Sequence, residues 1–420
     1  MRPHKKFVPF PFEYHQEVEV TIESLTNLGV GVAKVELPEE QRKELDSDAK
    51  WVIFVPFALP QEKVKVRIFR NDNNCSQGDL IEIVEPSPHR IDPKCSLFGE
   101  CGGCQYQHLD YATQLEWKTR QVGELLQHMA NINHPVQPAI PSPREWNYRS
   151  KLTPHFQKPK NGKIDAIGFL RNGRRNSILD VPQCPIAMDV INEAMPALRK
   201  EAHQNAKQFK KGVTMLMRAT EDRVETNNRA IATEHVGNLA FNFLAGDFFQ
   251  NNPYILPAFT EYVAKQASKN NATYLVDAYC GSGLFALSLA SSFEQVAGVE
   301  VSETAADWAR ANARQNHIEN VSFLASSAEA IFADINFPAD KTAVVIDPPR
   351  KGCNEEFLKQ LFTFGPSRCV YVSCNPSTQM RDLQHFIEAG YILEEVQPFD
   401  LFPQTRHLEC VAVLRKGDQS

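Results

Sequence analysis

A thiol stands in Ser373-Cys374-Asn375-Pro376, 26 positions after the carboxylate of Asp347-Pro348-Pro349-Arg350. A thiolate can add to an electrophilic carbon, a carboxylate can take a proton or orient a polar substrate, and prolines stiffen the turns that present both. Upstream, Asp277-Ala278-Tyr279-Cys280-Gly281-Ser282-Gly283 ends an apolar run in a glycine turn, and Glu300 follows Gly281 by 19 residues. That spacing suits a nucleotide-like cofactor whose ribose hydroxyls the acid holds. Gly-x-Gly-x-x-Ala alone also fits a dinucleotide, or a turn that only packs. Taken alone, Cys374 reads better as a buried core thiol than as a nucleophile. The Asn375-Pro376 turn, the Asp347 loop and Glu409, at the start of a last apolar run, favour a nucleophile facing a cofactor crevice.

A second constellation is Cys95-Ser-Leu-Phe-Gly-Glu-Cys101-Gly-Gly-Cys104. Three thiols this close, with glycines that let the backbone wrap, point to a metal site. The fourth ligand has its best candidate in Cys184 of Pro182-Gln183-Cys184-Pro185. Zinc accepts four cysteines and so does an iron–sulfur cluster. Spacing does not separate the two.

The elements that must carry these residues follow from periodicity. Residues 15–87 alternate apolar and polar in short runs (Val18, Val20, Ile22; Val64, Val66, Ile68; Ile81, Ile83) broken by glycines and prolines, the pattern of a small β-barrel. The polar interval Glu36 to Lys50 reads as a loop between two of its strands. Residues 108–130 place Leu109, Ala112, Leu115, Val122, Leu125, Leu126 and Met129 at helical spacing, an amphipathic helix that can pack on the catalytic domain. Residues 88–245 read as a central α+β domain, with a helix around Met188 to Gln208. From residue 246 to 420, apolar strands alternate with helical stretches as in a doubly wound α/β sheet. The fold class is therefore multidomain α/β.

A chain of 420 residues is long enough for two or three cores. No apolar run approaches the length of a bilayer span and no signal-peptide core follows Met1, so a cytoplasmic protein is expected, with its ten cysteines as thiols or ligands rather than disulfides. The net charge of −6 argues against indiscriminate polyanion binding. Between Arg144 and Arg175, however, nine Lys or Arg stand against Glu145 and Asp165, with Trp146, Tyr148, Phe156 and Phe169 interleaved. Such a stretch can follow phosphates and stack bases.

Five motifs in this order, Cys-x5-Cys-Gly-Gly-Cys, Phe248-Phe249-Gln250-Asn251-Asn252-Pro253, Asp-Pro-Pro-Arg, Ser-Cys-Asn-Pro and His407-Leu408-Glu409, resemble those of the RNA 5-methyluridine methyltransferases. Residues 15–87 resemble the TRAM barrel, an OB-like module that precedes many members, and Tyr148-Arg149-Ser150-Lys151 resembles a segment on the RNA side. The resemblance implies a Rossmann-like domain that binds S-adenosyl-L-methionine through Gln250, Tyr279, Glu300 and Asp347. It implies Cys374 as nucleophile toward carbon 6 of uracil and Glu409 as the base that removes the carbon 5 proton. It also implies a 4Fe-4S cluster on Cys95, Cys101, Cys104 and Cys184, in a central iron–sulfur domain. Two positions depart from the family pattern: Leu284, and Ser326-Ser327 near the expected adenine.

The expected function is methyl transfer from S-adenosyl-L-methionine to carbon 5 of a specific uridine in structured RNA, by a monomer that needs no membrane. The barrel together with the cluster favours ribosomal RNA, with transfer RNA as the alternative. An inactive RNA-binding iron–sulfur protein and a dinucleotide oxidoreductase are the competing classes. The first would bind the cofactor without turnover, and the second would retain NAD.

Overall fold

The computed structural model describes residues 7–45, 50–174, 176–221, 223–326, 331–332 and 335–417. These divide into two compact units, residues 1–121 with 404–406, and residues 122–403 with 407–420. No helix among the described residues is long and apolar enough to cross a membrane.

The first unit is built on a closed five-stranded barrel of β1 (Glu17–Leu25), β2 (Val30–Val35), β3 (Trp51–Pro56), β4 (Lys63–Asn71) and β5 (Cys75–Glu85), in the order β1-β2-β3-β5-β4. Alternation sends Val20, Ile22, Ile53, Val55, Val64, Val66 and Ile68 inward, as a half-buried strand requires. The period breaks in β5. Three register shifts against β4 turn Leu80 and Ile83 to the core and leave Ile81 exposed, because a bulge re-aims every side chain beyond it. The interval expected to be a loop contains a short helix, α1 (Glu39–Leu45). Its run of glutamates, glutamine and lysine favours a helix wherever the chain is free of the sheet. Asp110 caps α2 (Tyr111–Ala130), accepting the Thr113 N–H at 2.9 Å.

In the second unit, residues 122–245 form short pieces: a four-stranded and a three-stranded sheet, a hairpin of Ile231–Val236 with Leu239–Leu244, and α3 (Asp189–Gln204). The rest is one seven-stranded sheet. Its strands are β6 (Tyr274–Ala278), β7 (Gln295–Glu300), β8 (Val321–Ala325), β9 (Thr342–Ile346), β10 (Arg368–Ser373), β11 (Tyr391–Phe399) and β12 (Glu409–Lys416), in the order β8-β7-β6-β9-β10-β12-β11. The first five run parallel, and β12 lies antiparallel to β10 and β11. Its central strands are apolar on both faces, because helices cover both sides. On one face lie α4 (Leu256–Ala267), α5 (Leu284–Leu289) and α6 (Glu303–Gln315). On the other lie α7 (Glu355–Phe364) and α8 (Pro376–Glu388). Strand order reverses between β6 and β9. Sheets of this kind bind ligands at the carboxyl ends of the strands beside such a reversal.

Candidate active site

Strand ends deliver the chemical groups. Beyond β6, the chain turns through Tyr279 (φ 65°), Gly281 (φ 56°) and Gly283 (φ 94°) into α5. A left-handed φ favours glycine, and an added Cβ on Gly281 would meet nothing within 4 Å, so the backbone of this turn borders open space. Glu300, at the end of β7, accepts the Gly281 N–H at 3.0 Å and the Ser302 N–H at 2.9 Å. Its carboxylate therefore lies over the glycine turn. Fully buried Asp277 accepts the Ala286 N–H at 2.7 Å through Oδ2, while Oδ1 has no partner. Burial holds its pKa well above the usual carboxylate range, with Asp347 and Glu300 adding repulsion.

Asp347 follows β9 by one residue, and burial raises its pKa to about 7. Pro348 and Pro349 then carry the chain to Arg350, whose carbonyl accepts the Asn375 Nδ2 at 2.9 Å and the Thr378 Oγ1 at 3.2 Å. These bonds tie the Asp347 loop to the start of α8. Ser373 Oγ accepts the Asn375 N–H at 3.1 Å, and Pro376 opens α8, so Cys374 sits on a turn fixed from both sides.

Cys374 and Glu409 come together through register. β10 and β12 pair antiparallel up to Ser373 opposite Cys410, so Cys374 and Glu409 each adjoin the last pair of the ladder, and Glu409 acts on the Cys374 thiol. Glu409 is 2% exposed and its Oε2 has no partner. Burial raises its pKa well above the ordinary value, repulsion from Asp347 adds to this, and Arg350 opposes it. The Cys374 thiol is pushed up to about 11, first by burial, then by Glu409 and Asp347, while Arg350 pulls it back. Arg350 is thus a fourth member of the group, present in the tetrad but without an assigned role in the sequence reading.

Gln250 is buried in a loop of its own. Asn252 Nδ2 donates to the Leu401 carbonyl at 3.0 Å, just beyond Phe399, which pairs with Glu409. The loop is held at its other end by two cations. Lys151 donates to the carbonyls of Gly246 (2.8 Å) and Asp247 (3.0 Å), and Arg218 to those of Ala245 (3.2 Å) and Asp247 (2.9 Å). Lys151 was legible as part of a basic run, but Arg218 carried no signal in sequence. Leu284 is buried in the first turn of α5, Ser326 donates its N–H to the Glu300 carbonyl at 3.0 Å, and Ser327 lies outside the described residues.

Of the four expected cluster ligands, Cys95, Cys101 and Cys104 lie in the first unit and Cys184 in the second. Among the described residues no three His, Cys, Asp or Glu side chains gather so that they could hold a metal ion, so the expected cluster gains no support here. The segment is closed by Phe98 N–H to Cys95 carbonyl (3.0 Å), Cys101 N–H to Leu97 carbonyl (2.9 Å) and Cys95 N–H to Gln107 Oε1 (3.0 Å). Burial raises the Cys101 pKa, and the neighbouring Cys95 adds to this. None of the ten cysteines is in a disulfide.

The glycine turn fits its cofactor: an acid over the turn and open space at Gly281 match a ribose.

Comparison with known proteins agrees with this geometry. Residues 203–417 match the family described as tRNA (uracil-5-)-methyltransferase, and residues 12–81 match the TRAM domain. The tRNA (uracil(54)-C(5))-methyltransferase of Schizosaccharomyces pombe is 41% identical over 97% of this chain and 79% of its own length. Its namesake from Saccharomyces cerevisiae is 33% identical over 97% of this chain and 75% of its own. A tRNA (uracil-54, C5)-methyltransferase of Pyrococcus abyssi, solved with S-adenosyl-L-homocysteine, shares the fold at a TM-score of 0.71, 23% identity, 94% of this chain and 100% of its own. Both yeast relatives carry transfer RNA in their names, which favours the alternative over the ribosomal RNA expectation. The chain belongs to the tRNA (uracil-5-)-methyltransferase family and is an S-adenosyl-L-methionine-dependent RNA uracil-5-methyltransferase with an N-terminal TRAM barrel.

Proposed function

We propose that this enzyme methylates carbon 5 of uridine 54 in transfer RNA, with Cys374 as nucleophile and Glu409 as base. The two tRNA (uracil(54)-C(5))-methyltransferases that match 97% of the chain support the target. The observation that supports the mechanism is the Ser373–Cys410 pairing, one residue short of both Cys374 and Glu409, together with the effect of Glu409 on the Cys374 thiol.

Carbon 5 of uracil is a weak nucleophile. Addition of the Cys374 thiolate to carbon 6 breaks the 5,6 double bond and moves electron density to carbon 5 as an enolate. When bound, S-adenosyl-L-methionine supplies an electrophilic methyl group. Glu409 then takes the carbon 5 proton, the carbon 6–sulfur bond breaks, and Cys374 leaves as thiolate. Tyr279, Glu300 and Asp347 line the cofactor side, with Gln250 presented by its anchored loop. Arg350 lowers the charge burden around the thiolate as it forms.

Extruding the base from its stack is part of the reading, since a uridine in a folded loop cannot otherwise reach a strand-end crevice. The test is incubation with S-adenosyl-L-methionine and unmodified transcripts of transfer and ribosomal RNA, followed by mapping of 5-methyluridine. A single product at position 54 of transfer RNA, abolished in Cys374→Ala, is expected. Methylation confined to ribosomal RNA would overturn the target, and normal turnover by Cys374→Ala would overturn the mechanism.

A further inference from the structure

The basic stretch of residues 144–175 divides in two when folded. Its first cations are committed internally. Arg144 stacks over the Tyr254 ring at 4.0 Å, Arg149 Nε donates to the Lys151 carbonyl, and Lys151 grips the loop before Gln250. Lys158, Lys160 and Lys163 instead stand exposed. A second segment, about 45 residues later, brings Lys207, Lys210 and Lys211, also exposed.

Several contacts join the segments. Val213 pairs with Phe156 and Thr214 with His155 in the four-stranded sheet. The Phe156 and Phe209 rings lie 5.0 Å apart over a small core of Ile164, Ile167, Ala202 and Ala206. Gly162 (φ 71°), in the turn where Lys160 and Lys163 exchange backbone bonds, rests on Lys207: an added Cβ would sit 2.8 Å from its Cγ. A Cβ added to Gly212 would likewise sit 2.7 Å from the Phe156 carbonyl oxygen. The two segments that carry the six exposed lysines are thus held together by strand pairing and apolar packing. Asp165 is the only carboxylate within residues 155–170 and 205–215.

We infer that this six-lysine edge is a docking surface for the phosphate backbone of the RNA substrate, separate from the sheet that carries Cys374. It rests on the reading of the enzyme as a transfer RNA methyltransferase and adds where the body of that RNA is held. A chain of net charge −6 that concentrates six cations on one edge gains counterion release from a polyanion. Lysine suits this task, since it offers a point charge without reading base identity. Tight clustering of like charge on a rigid core is otherwise self-repelling.

The test compares wild type with two sextuple variants at positions 158, 160, 163, 207, 210 and 211, Lys→Ala and the charge-preserving Lys→Arg. Binding of full-length unmodified transfer RNA is measured by filter retention from 0.05 to 0.3 M salt, independently of methylation. The Ala variant is expected to flatten the slope of log affinity against log salt by about four to five, and to raise KM at least about tenfold with kcat within about twofold. The Arg variant should behave as wild type, which separates charge from folding. An unchanged slope and KM in the Ala variant would overturn the surface. So would an equal loss in the Arg variant, or binding of anionic vesicles without any change toward RNA. Because binding is read directly, failure of the enzyme to methylate transfer RNA would strike the proposed target and leave this result interpretable.

Discussion

Two buried glutamates, one in each unit, show what separates structure from chemistry in this molecule. Glu62 in the barrel unit is fully buried and fully served: it accepts from Arg90 Nε (2.5 Å), Arg90 Nη2 (2.9 Å), the Leu59 N–H (2.8 Å) and the Ser87 N–H (3.3 Å). Glu409 in the catalytic unit is buried to a similar degree, with Oε2 unmet and a second carboxylate, Asp347, raising its pKa further. A buried charge is tolerable when paired and hydrogen-bonded, and costly when it is not. The barrel has settled its glutamate. The sheet keeps its own unsettled, which is how acid–base sites are made.

The sharpest way to break this contrast is Glu409→Gln. Turnover should fall by at least about a thousandfold, with a covalent protein–RNA adduct accumulating on denaturing gels because the carbon 5 proton is no longer removed. The same change should raise stability. Glu409 has a folded-state pKa above its unfolded value, so the wild type is most favoured below the unfolded pKa and loses stability as pH rises toward the folded one. The variant's advantage in thermal unfolding should be absent near pH 4 and grow toward pH 8, by about 2–4 °C per kcal/mol. An advantage largest at acid pH would show that Glu409 is not a strained acid.

The barrel should respond in the opposite sense. Arg90→Met leaves Glu62 buried without its cation and is expected to cost about 3–5 kcal/mol, measured by denaturant unfolding of the full chain. Adding Glu62→Gln should recover much of that loss. Unfolding of Arg90→Met at the wild-type midpoint would mean that the pair is not what settles Glu62.

The smallest effect concerns the thiol. Alkylation of Cys374 by iodoacetamide, followed site by site by mass spectrometry, should rise with pH toward a midpoint near 11. Glu409→Gln and Asp347→Asn remove repulsion from the thiolate and should speed alkylation at pH 8 by roughly threefold to tenfold. Arg350→Gln should slow it. Equal rates in all four proteins would show that burial alone sets this thiol.

Much of the catalytic half was legible in the chain itself. Strand-end residues announce themselves because the apolar run stops and a glycine or proline turn begins, so Asp277, Asp347 and Cys374 could be placed before any coordinates. What periodicity cannot give is the partner across a ladder. That Cys374 comes near Glu409 depends on β12 inserting between β10 and β11, a non-local choice of sheet order. The bulges of β5, the helix α1 and the Glu62–Arg90 pair, 28 residues apart, are hidden for the same reason. The cysteine spacing suggested a ligand set, and the backbone bonds that close residues 95–107 are not visible in spacing alone. The basic stretch read as one surface and folded into two, since hydrogen-bond partners for Lys151 come from almost a hundred residues away.

The pairing of Ser373 with Cys410 also bears on which sequence changes lineages of this enzyme can accept. Cys374 and Glu409 each stand one residue beyond that last pair of the ladder, so their separation is set by register rather than by loop length. A single-residue insertion or deletion inside Arg368–Ser373 or Glu409–Lys416 would send one of the two side chains to the opposite face of the sheet. Substitutions can drift through these strands while size and polarity are kept, but indels there are excluded, and length variation is channelled into surface connections.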